Sequence, residues 1–80
     1  MDGLKLIKWS YSRRFNIKAS FDSFPHSTVL FRRIKDYYFV YNVYWSTQDP
    51  IVVREDLVEM ELLLNRELGS EKEYLNRGSR

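Results

Sequence analysis

The feature that most constrains the fold is a long apolar run, which extends from Thr28 to Trp45 as TVLFRRIKDYYFVYNVYW. It is dominated by Val, Ile, Tyr, Phe and Trp, residues that favour the pleated and half-buried surface of a β-sheet. A charged pair, Lys35 and Asp36, interrupts the run near its middle. The sequence therefore predicts two antiparallel strands joined by a two-residue turn at these positions.

A turn at Lys35 and Asp36 also predicts which residues of the hairpin face each other. The expected pairs are Ile34 with Tyr37, Arg32 with Phe39, Leu30 with Tyr41 and Thr28 with Val43. Lys-Asp is a weaker turn signal than Asn-Gly, so a register one residue away stays open.

Both faces of this hairpin are rich in apolar side chains. One face would hold the four pairs above, and the other would hold Val29, Phe31, Arg33, Tyr38, Val40 and Tyr44. A hairpin with one face in water should instead alternate apolar and polar residues. Each face therefore needs a cover, and a single helix can supply only one.

Two further strands precede the hairpin. Residues 4–12 alternate imperfectly and predict a first strand that ends at a turn near Ser12 and Arg13. The second strand has the clearest pattern of one buried face, formed by Phe15, Ile17, Ala19 and Phe21. Residues 22–27 contain Pro25 among small polar residues, which predicts a loop.

A long helix follows the sheet in the sequence. Asp49 is the predicted N-cap and Pro50 the first helical residue, and the helix should continue to Leu68 and end at Gly69. One continuous apolar stripe at helical spacing should dock on the sheet; it consists of Val53, Leu57, Met60, Leu64 and Leu68.

The sequence from Ser70 to Glu73 fits a capping box and predicts a short final helix through Asn76. We therefore predict a single α+β domain over residues 1–77, with an antiparallel sheet of about four strands packed by one long C-terminal α-helix and a short terminal helix. Residues 78–80, Gly-Ser-Arg, resemble a remnant of an expression tag, and we expect no function of them.

Composition limits the cellular compartments in which the chain is expected to work. It has no cysteine, so it has no disulfide or thiolate metal site, and a reducing compartment is favoured. No apolar run reaches the roughly 18 residues of a membrane span, and no signal peptide is apparent. We expect a cytoplasmic protein that does not enter a membrane.

Charge is distributed unevenly along the chain. The net charge is +2, but residues 1–48 carry eight Lys or Arg against three Asp, a net +5. Residues 49–80 carry five basic and eight acidic residues, a net −3. The predicted strands are therefore basic and the helical half is acidic.

No residue pattern supports catalysis. His26 is the only histidine, and it stands in the predicted loop without an assignable partner. The carboxylates of the long helix are typical of a solvated helix face; they are Glu55, Asp56, Glu59, Glu61 and Glu67. We predict no catalytic residue, no metal site, no cofactor and no small-molecule substrate.

The leading functional hypothesis is a non-enzymatic binding module that engages a protein partner through an aromatic-basic sheet face or an edge strand. It would suit an inhibitor or accessory factor of the kind that phages and mobile elements encode. The partner could also be a second copy of the chain in a homodimer. Because Tyr and Arg dominate binding hot spots, the predicted contact residues are Phe31, Arg33, Tyr38, Val40 and Tyr44.

Nucleic acid is the alternative partner. Cations neutralise phosphates and exposed aromatic rings stack on unpaired bases. The cations that would serve are Arg13, Arg14, Lys18, Arg32, Arg33 and Lys35. Ribonuclease activity on such a surface stays open as a third hypothesis, although no residue points to it.

Overall fold

The computed structural model describes residues 4–77 and contains one four-stranded sheet and two helices. The strands are antiparallel and follow each other in the order β1 (Leu6–Tyr11), β2 (Ile17–Phe21), β3 (Phe24–Ile34) and β4 (Tyr37–Tyr44). A 3₁₀ turn, Arg13–Phe15, connects β1 to β2, and the sheet is followed by α1 (Arg54–Leu68) and α2 (Glu71–Leu75). The predicted α+β fold is confirmed. The predicted tag remnant lies outside the described residues.

The core lies between one face of the sheet and α1. Its buried apolar side chains are Ile17, Ala19, Phe21, Phe24, Val29, Phe31, Tyr38, Met60 and Leu64. Met60 and Leu64 are fully buried and Leu57 and Leu68 pack beside them, so most of the predicted helical stripe docks as expected. Val53 is the exception, because it precedes the first turn of α1 and is exposed. Neither helix is long and apolar enough to cross a membrane.

The central hairpin turns at the predicted residues, but its register changes halfway. Ile34 pairs with Tyr37 and Arg32 with Phe39, as predicted. A β-bulge at Tyr41 then shifts the pairing, so Leu30 lies opposite Asn42 and Thr28 opposite Tyr44. The predicted pairs of Leu30 with Tyr41 and Thr28 with Val43 are therefore wrong. Because strand side chains alternate, the extra residue also moves the three residues of β4 that follow it, Asn42 to Tyr44, to the face opposite to the predicted one.

The connection between β2 and β3 is shorter than predicted. Phe21 pairs with Phe24, so the turn consists of Asp22 and Ser23, and Pro25 is already part of β3. The predicted loop over residues 22–27 is therefore wrong. Pro25 is tolerated because β3 is irregular here. Between the pairs Phe21–Phe24 and Ala19–Val29, β2 has one residue and β3 has four.

Asp49 does not cap α1, which begins four residues later than predicted. The Asp49 side chain is buried and accepts hydrogen bonds from the backbone N–H of His26 and from the hydroxyl of Ser27. It therefore fastens the segment after β4 to the start of β3. At the true helix start, Asp56 accepts a hydrogen bond from the backbone N–H of Val53 at 3.0 Å.

The end of α1 follows the prediction. Gly69 has a left-handed backbone with φ of 83°, a conformation that glycine adopts without a steric penalty. The short helix α2 follows where it was predicted, but the Ser70 hydroxyl does not cap it. That hydroxyl donates instead to the side-chain oxygen of Asn65 at 2.8 Å.

Asn65 belongs to a buried polar network that closes the outer edge of β4. Its side chain is fully buried; Oδ1 accepts from the backbone N–H of Tyr38 and Nδ2 donates to the Tyr38 carbonyl, both at 2.8 Å. Glu61, one helical turn earlier, accepts from the backbone N–H of Val40 at 2.8 Å and from the Tyr74 hydroxyl at 2.7 Å. The helix thus supplies β4 with the hydrogen bonds that another strand would give.

Candidate binding face of the sheet

The sheet has a second face, opposite the one that packs on α1. We call it the open face. By the register it includes Lys8, Ser10, Lys18, Ser20, Thr28, Leu30, Arg32, Ile34, Phe39, Asn42 and Tyr44, and the bulged Tyr41 lies beside Arg32. Leu30, Ser20, Thr28 and Phe39 are half-buried among their neighbours, and the lysine, arginine and tyrosine side chains of the open face are exposed. The open face is therefore a mixed surface of cations, hydroxyls and tyrosine rings.

Cations on the open face have no acidic counterpart in the strands. None of the four strands contains Asp or Glu, whereas α1 contains one Asp and four Glu and α2 contains two Glu. Lys8 pairs with Ser20 and Ser10 with Lys18, so the two lysines are diagonal neighbours, a relation that separates side chains by roughly 7–8 Å. Arg32 lies two residues beyond Leu30, the partner of Lys18. The open face therefore presents a row of positive charge.

Two tyrosine rings stand beside this row. Tyr41 and Tyr44 are 48% and 61% exposed, and they share the open face only because Tyr41 bulges. The guanidinium of Arg32 lies 3.9 Å from the centre of the Tyr41 ring, a cation–π contact that holds both groups. The two rings border a shallow groove with Arg13, Lys18, Leu30 and other residues of the sheet.

The turn Arg13–Phe15 lies at one end of this groove. Arg14 and Phe15 both have positive φ, 50° and 67°, which is rare for residues with a side chain. Phe15 was predicted to continue the buried face of β2, but it is 73% exposed because the turn, not the strand, contains it. The Tyr38 hydroxyl donates to the Phe15 carbonyl at 3.3 Å and fixes the turn to the sheet.

The fold places the residues predicted to bind a protein partner on two different faces of the sheet. Phe31 and Tyr38 are buried and Val40 is half-buried, because α1 packs on their face. Their predicted position on an exposed face is wrong. Arg33 and Tyr44 are exposed, but the bulge carries Tyr44 to the opposite, open face.

The residues predicted to bind nucleic acid are all exposed. Lys18 and Arg32 lie on the open face and Arg13 borders its groove. The other three lie at the end of the sheet where the β1–β2 and β3–β4 turns meet; they are Arg14, Arg33 and Lys35. Their role stays a prediction. Arg33 alternates with Arg32 and pairs with Tyr38, so it lies on the face opposite to Lys18 and Arg32.

Lys8 and Tyr41 are members of the open face that the sequence prediction did not select. In the imperfect alternation of residues 4–12, Lys8 and Ser10 share a face with Leu4 and Leu6, so the sequence did not mark that face as polar. Tyr41 was predicted on the face of Leu30 and Arg32, which is the open face, but the predicted contact residues were chosen from the other face.

The groups with perturbed protonation lie away from the open face. Burial, followed by the hydrogen bond to Glu61, raises the pKa of Tyr74 well above 10, and burial also raises the pKa of Tyr38. Both phenols therefore stay protonated at neutral pH and serve the packing of α1 and the turn. Within residues 4–77, no three His, Cys, Asp or Glu side chains are grouped so that they could hold a metal ion.

Comparison with known proteins gives a family but no activity. Residues 5–79 match the family described as "Uncharacterised protein YuzH". No curated protein and no solved structure matches the chain.

Proposed function

We propose that this chain, which belongs to the YuzH family of uncharacterised proteins, is a small non-enzymatic protein that binds single-stranded nucleic acid on its open face. One observation carries the proposal: an exposed sheet face combines Lys8, Lys18 and Arg32 with the rings of Tyr41 and Tyr44, while the strands supply no carboxylate. A polyanion with flat, unpaired bases complements both properties.

The cations would contact phosphates. Each phosphate neutralised on a single strand contributes roughly −0.7 to the slope of log affinity against log salt. Four cations are available: Arg13 and Lys18 line the groove, and Lys8 and Arg32 lie elsewhere on the open face. If all four contact phosphates, the slope should be about −3, and each charge removed should reduce it by about 0.7.

The tyrosines would contact bases. Stacking of an unpaired base on an exposed aromatic ring contributes about 1–3 kcal/mol and depends little on the base. The Arg32 guanidinium holds Tyr41 in place before binding, so less side-chain freedom is lost when a base stacks. We therefore propose affinity for unpaired strands with little sequence preference.

The test is fluorescence anisotropy with labelled single-stranded DNA and RNA of mixed sequence across a salt series. Lys18→Glu combined with Arg32→Glu reverses two charges on the open face and should weaken binding at least tenfold. The charge-matched control is Arg54→Glu combined with Lys72→Glu, which makes the same change on the exposed surface of the helices. The control should bind within about twofold of the wild type, because surface charges beyond a Debye length are screened.

Two results would refute the proposal. One is no binding to either nucleic acid at low salt, and the other is an equal loss in both charge-reversed variants, which would mean that net charge alone attracts the strand. Size exclusion with light scattering should be run in parallel. A dimer that persists at high salt and ignores nucleic acid would support the competing proposal.

The competing proposal is a protein partner or a second copy of the chain, bound as an inhibitor or accessory factor would be. The observation that favours it is apolar surface on the helical side, where Ile51 and Val58 are 75% and 45% exposed. Arg33 and Tyr44 remain available as contacts from the original prediction. Under either proposal we assign the protein to the cytoplasm, where a chain without cysteine needs no oxidising environment.

A further inference from the structure

We infer that the turn Arg13–Phe15 is a second nucleic-acid contact, in which the Phe15 ring stacks on a base of a strand that leaves the open face over the end of the sheet. This inference rests on the proposed function and names how the strand continues beyond the groove. It concerns an unpaired DNA or RNA strand, since a base inside a duplex has no free face to offer an exposed ring.

Exposure of Phe15 is the first argument. Phe15 is 73% exposed, more than any other aromatic side chain of residues 4–77. Burial of a Phe side chain would contribute about 1.5–3 kcal/mol to folding, and here that contribution is largely absent. A large apolar ring kept in water at a fixed position is a feature of binding surfaces more than of folding.

The backbone of the turn is the second argument. Arg14 and Phe15 are consecutive residues with positive φ, and neither is glycine. Such conformations are unfavourable for residues with a Cβ atom and persist only where surrounding contacts impose them. These contacts are present: Ser12 N–H donates to the Asn16 carbonyl, Asn16 N–H donates to the Arg13 carbonyl, and the Tyr38 hydroxyl holds the Phe15 carbonyl. The ring is therefore presented from a fixed turn.

Continuity with the open face is the third argument. Arg13 borders the groove that contains Lys18, Tyr41 and Tyr44, whereas Arg14 and Phe15 border a shallow depression on the other side of the same turn with Tyr11. One short turn therefore connects the groove to an exposed ring. A phosphate at Arg13 would bring the next nucleotides within reach of Arg14 and Phe15, and both arginines complement a polyanion.

The test combines protein variants with abasic oligonucleotides. A labelled strand of about eight nucleotides, within the site sizes of small sheet modules, is prepared with a single abasic position moved along its length. One stacked base corresponds to roughly 5- to 150-fold in affinity. We expect Phe15→Ala to lose at least fivefold on the intact strand, and the wild type to lose as much when one particular base is missing.

Coupling between the two changes is the decisive readout. If Phe15 stacks on that base, Phe15→Ala should show no further loss with the corresponding abasic strand. Phe15→Trp should retain affinity, and Phe15→Leu, which keeps apolar bulk without a flat ring, should behave like Phe15→Ala. Ile51→Ala is the matched control, because it removes an equally exposed apolar side chain in the segment between the sheet and α1 and should bind like the wild type.

The outcomes separate this inference from the proposed function. If charge reversal at Lys18 and Arg32 abolishes binding while every Phe15 variant binds like the wild type, the turn contact is refuted and the open face stands. If the wild type binds no oligonucleotide, both are refuted. If Phe15→Ala loses binding to anionic lipid vesicles but not to oligonucleotides, the turn contacts a membrane surface and the inference is wrong.

Discussion

Replacing Asn65 with leucine should strongly destabilise the protein, because Asn65 links α1 to the edge of β4. The side chain is fully buried and takes part in four hydrogen bonds, with the N–H and carbonyl of Tyr38, the carbonyl of Glu61 and the hydroxyl of Ser70. Leucine has a similar volume but no polar atom. The substitution therefore leaves the two backbone groups of Tyr38 buried without partners.

The size of the effect follows from those two groups. An unsatisfied buried donor or acceptor costs about 1–3 kcal/mol, so the free energy of unfolding should fall by roughly 2–6 kcal/mol. The free energy of unfolding of small domains is about 5–15 kcal/mol, and each kcal/mol lost lowers the melting temperature of a domain of this size by about 4–8 °C. We expect a decrease of at least about 8 °C in melting temperature.

Urea denaturation followed by far-ultraviolet circular dichroism and by tryptophan fluorescence would measure the effect. Asn76→Leu is the matched control, since Asn76 is exposed just beyond α2 and should change stability by no more than about 0.5 kcal/mol. Asn65→Asp removes the Nδ2 donor and turns a carboxylate oxygen toward two carbonyls. It should be destabilised at neutral pH and recover in part in acid, where the carboxyl group can donate. An Asn65→Leu variant as stable as the control would refute the role assigned to the network.

Two further perturbations test other parts of the structure. Because the pKa of Tyr74 is raised in the folded protein, this phenol ionises first in the unfolded chain as the pH passes 10. The stability that Tyr74 contributes should therefore be complete below pH 10 and fall above it. The urea midpoint should fall less steeply with pH in Tyr74→Phe, and as steeply as in the wild type in Tyr44→Phe. Gly69→Ala should lower the free energy of unfolding by about 1 kcal/mol in the same assay. The positive φ alone causes this loss, since the added Cβ would meet no atom within 4 Å. Gly69→Asn should lose less, and an unchanged midpoint in Gly69→Ala would contradict the left-handed cap.

Local signals in the sequence predicted the secondary-structure elements well where a residue type strongly prefers one backbone conformation or one position in an element. Gly69 marks the end of α1, the spacing of Met60 and Leu64 marks its buried stripe, and Lys35 with Asp36 marks the hairpin turn. Each of these depends on backbone geometry or on periodicity within one element. None of them requires knowledge of the partner element.

The predictions that failed depend on contacts between distant residues. Asp49 has the chemistry of an N-cap, but His26 and Ser27, more than 20 residues earlier, compete for its carboxylate. Likewise, both faces of the hairpin were apolar, so periodicity could not say that α1 would cover Phe31 instead of the other face. The bulge at Tyr41 then reversed the parity of the residues that follow it.

The sequence predicted the chemistry of the candidate site but not its geometry. Lys18 and Arg32 were selected for their charge, and both lie on the open face. Tyr44 was selected with the wrong neighbours, since one extra residue moved it to the opposite face. Asn65 left a detectable signal: with Glu61 it forms a polar pair at i and i+4 beside an apolar stripe, a position where a polar side chain reaches the rim of the core.

The closure of β4 by helix side chains limits how the protein can assemble. Asn65 and Glu61 occupy backbone groups over the first half of β4, and the bulge at Tyr41 interrupts the rest of that edge. Within the described residues, β1 is then the edge that remains free, and it pairs regularly with β2 from Lys8 to Tyr11, beyond an irregularity between Leu6 and Lys8. In the terms of polymer chemistry the sheet is a monofunctional unit: two molecules that join through β1 make a closed pair. A unit with two such ends would instead extend into a fibre.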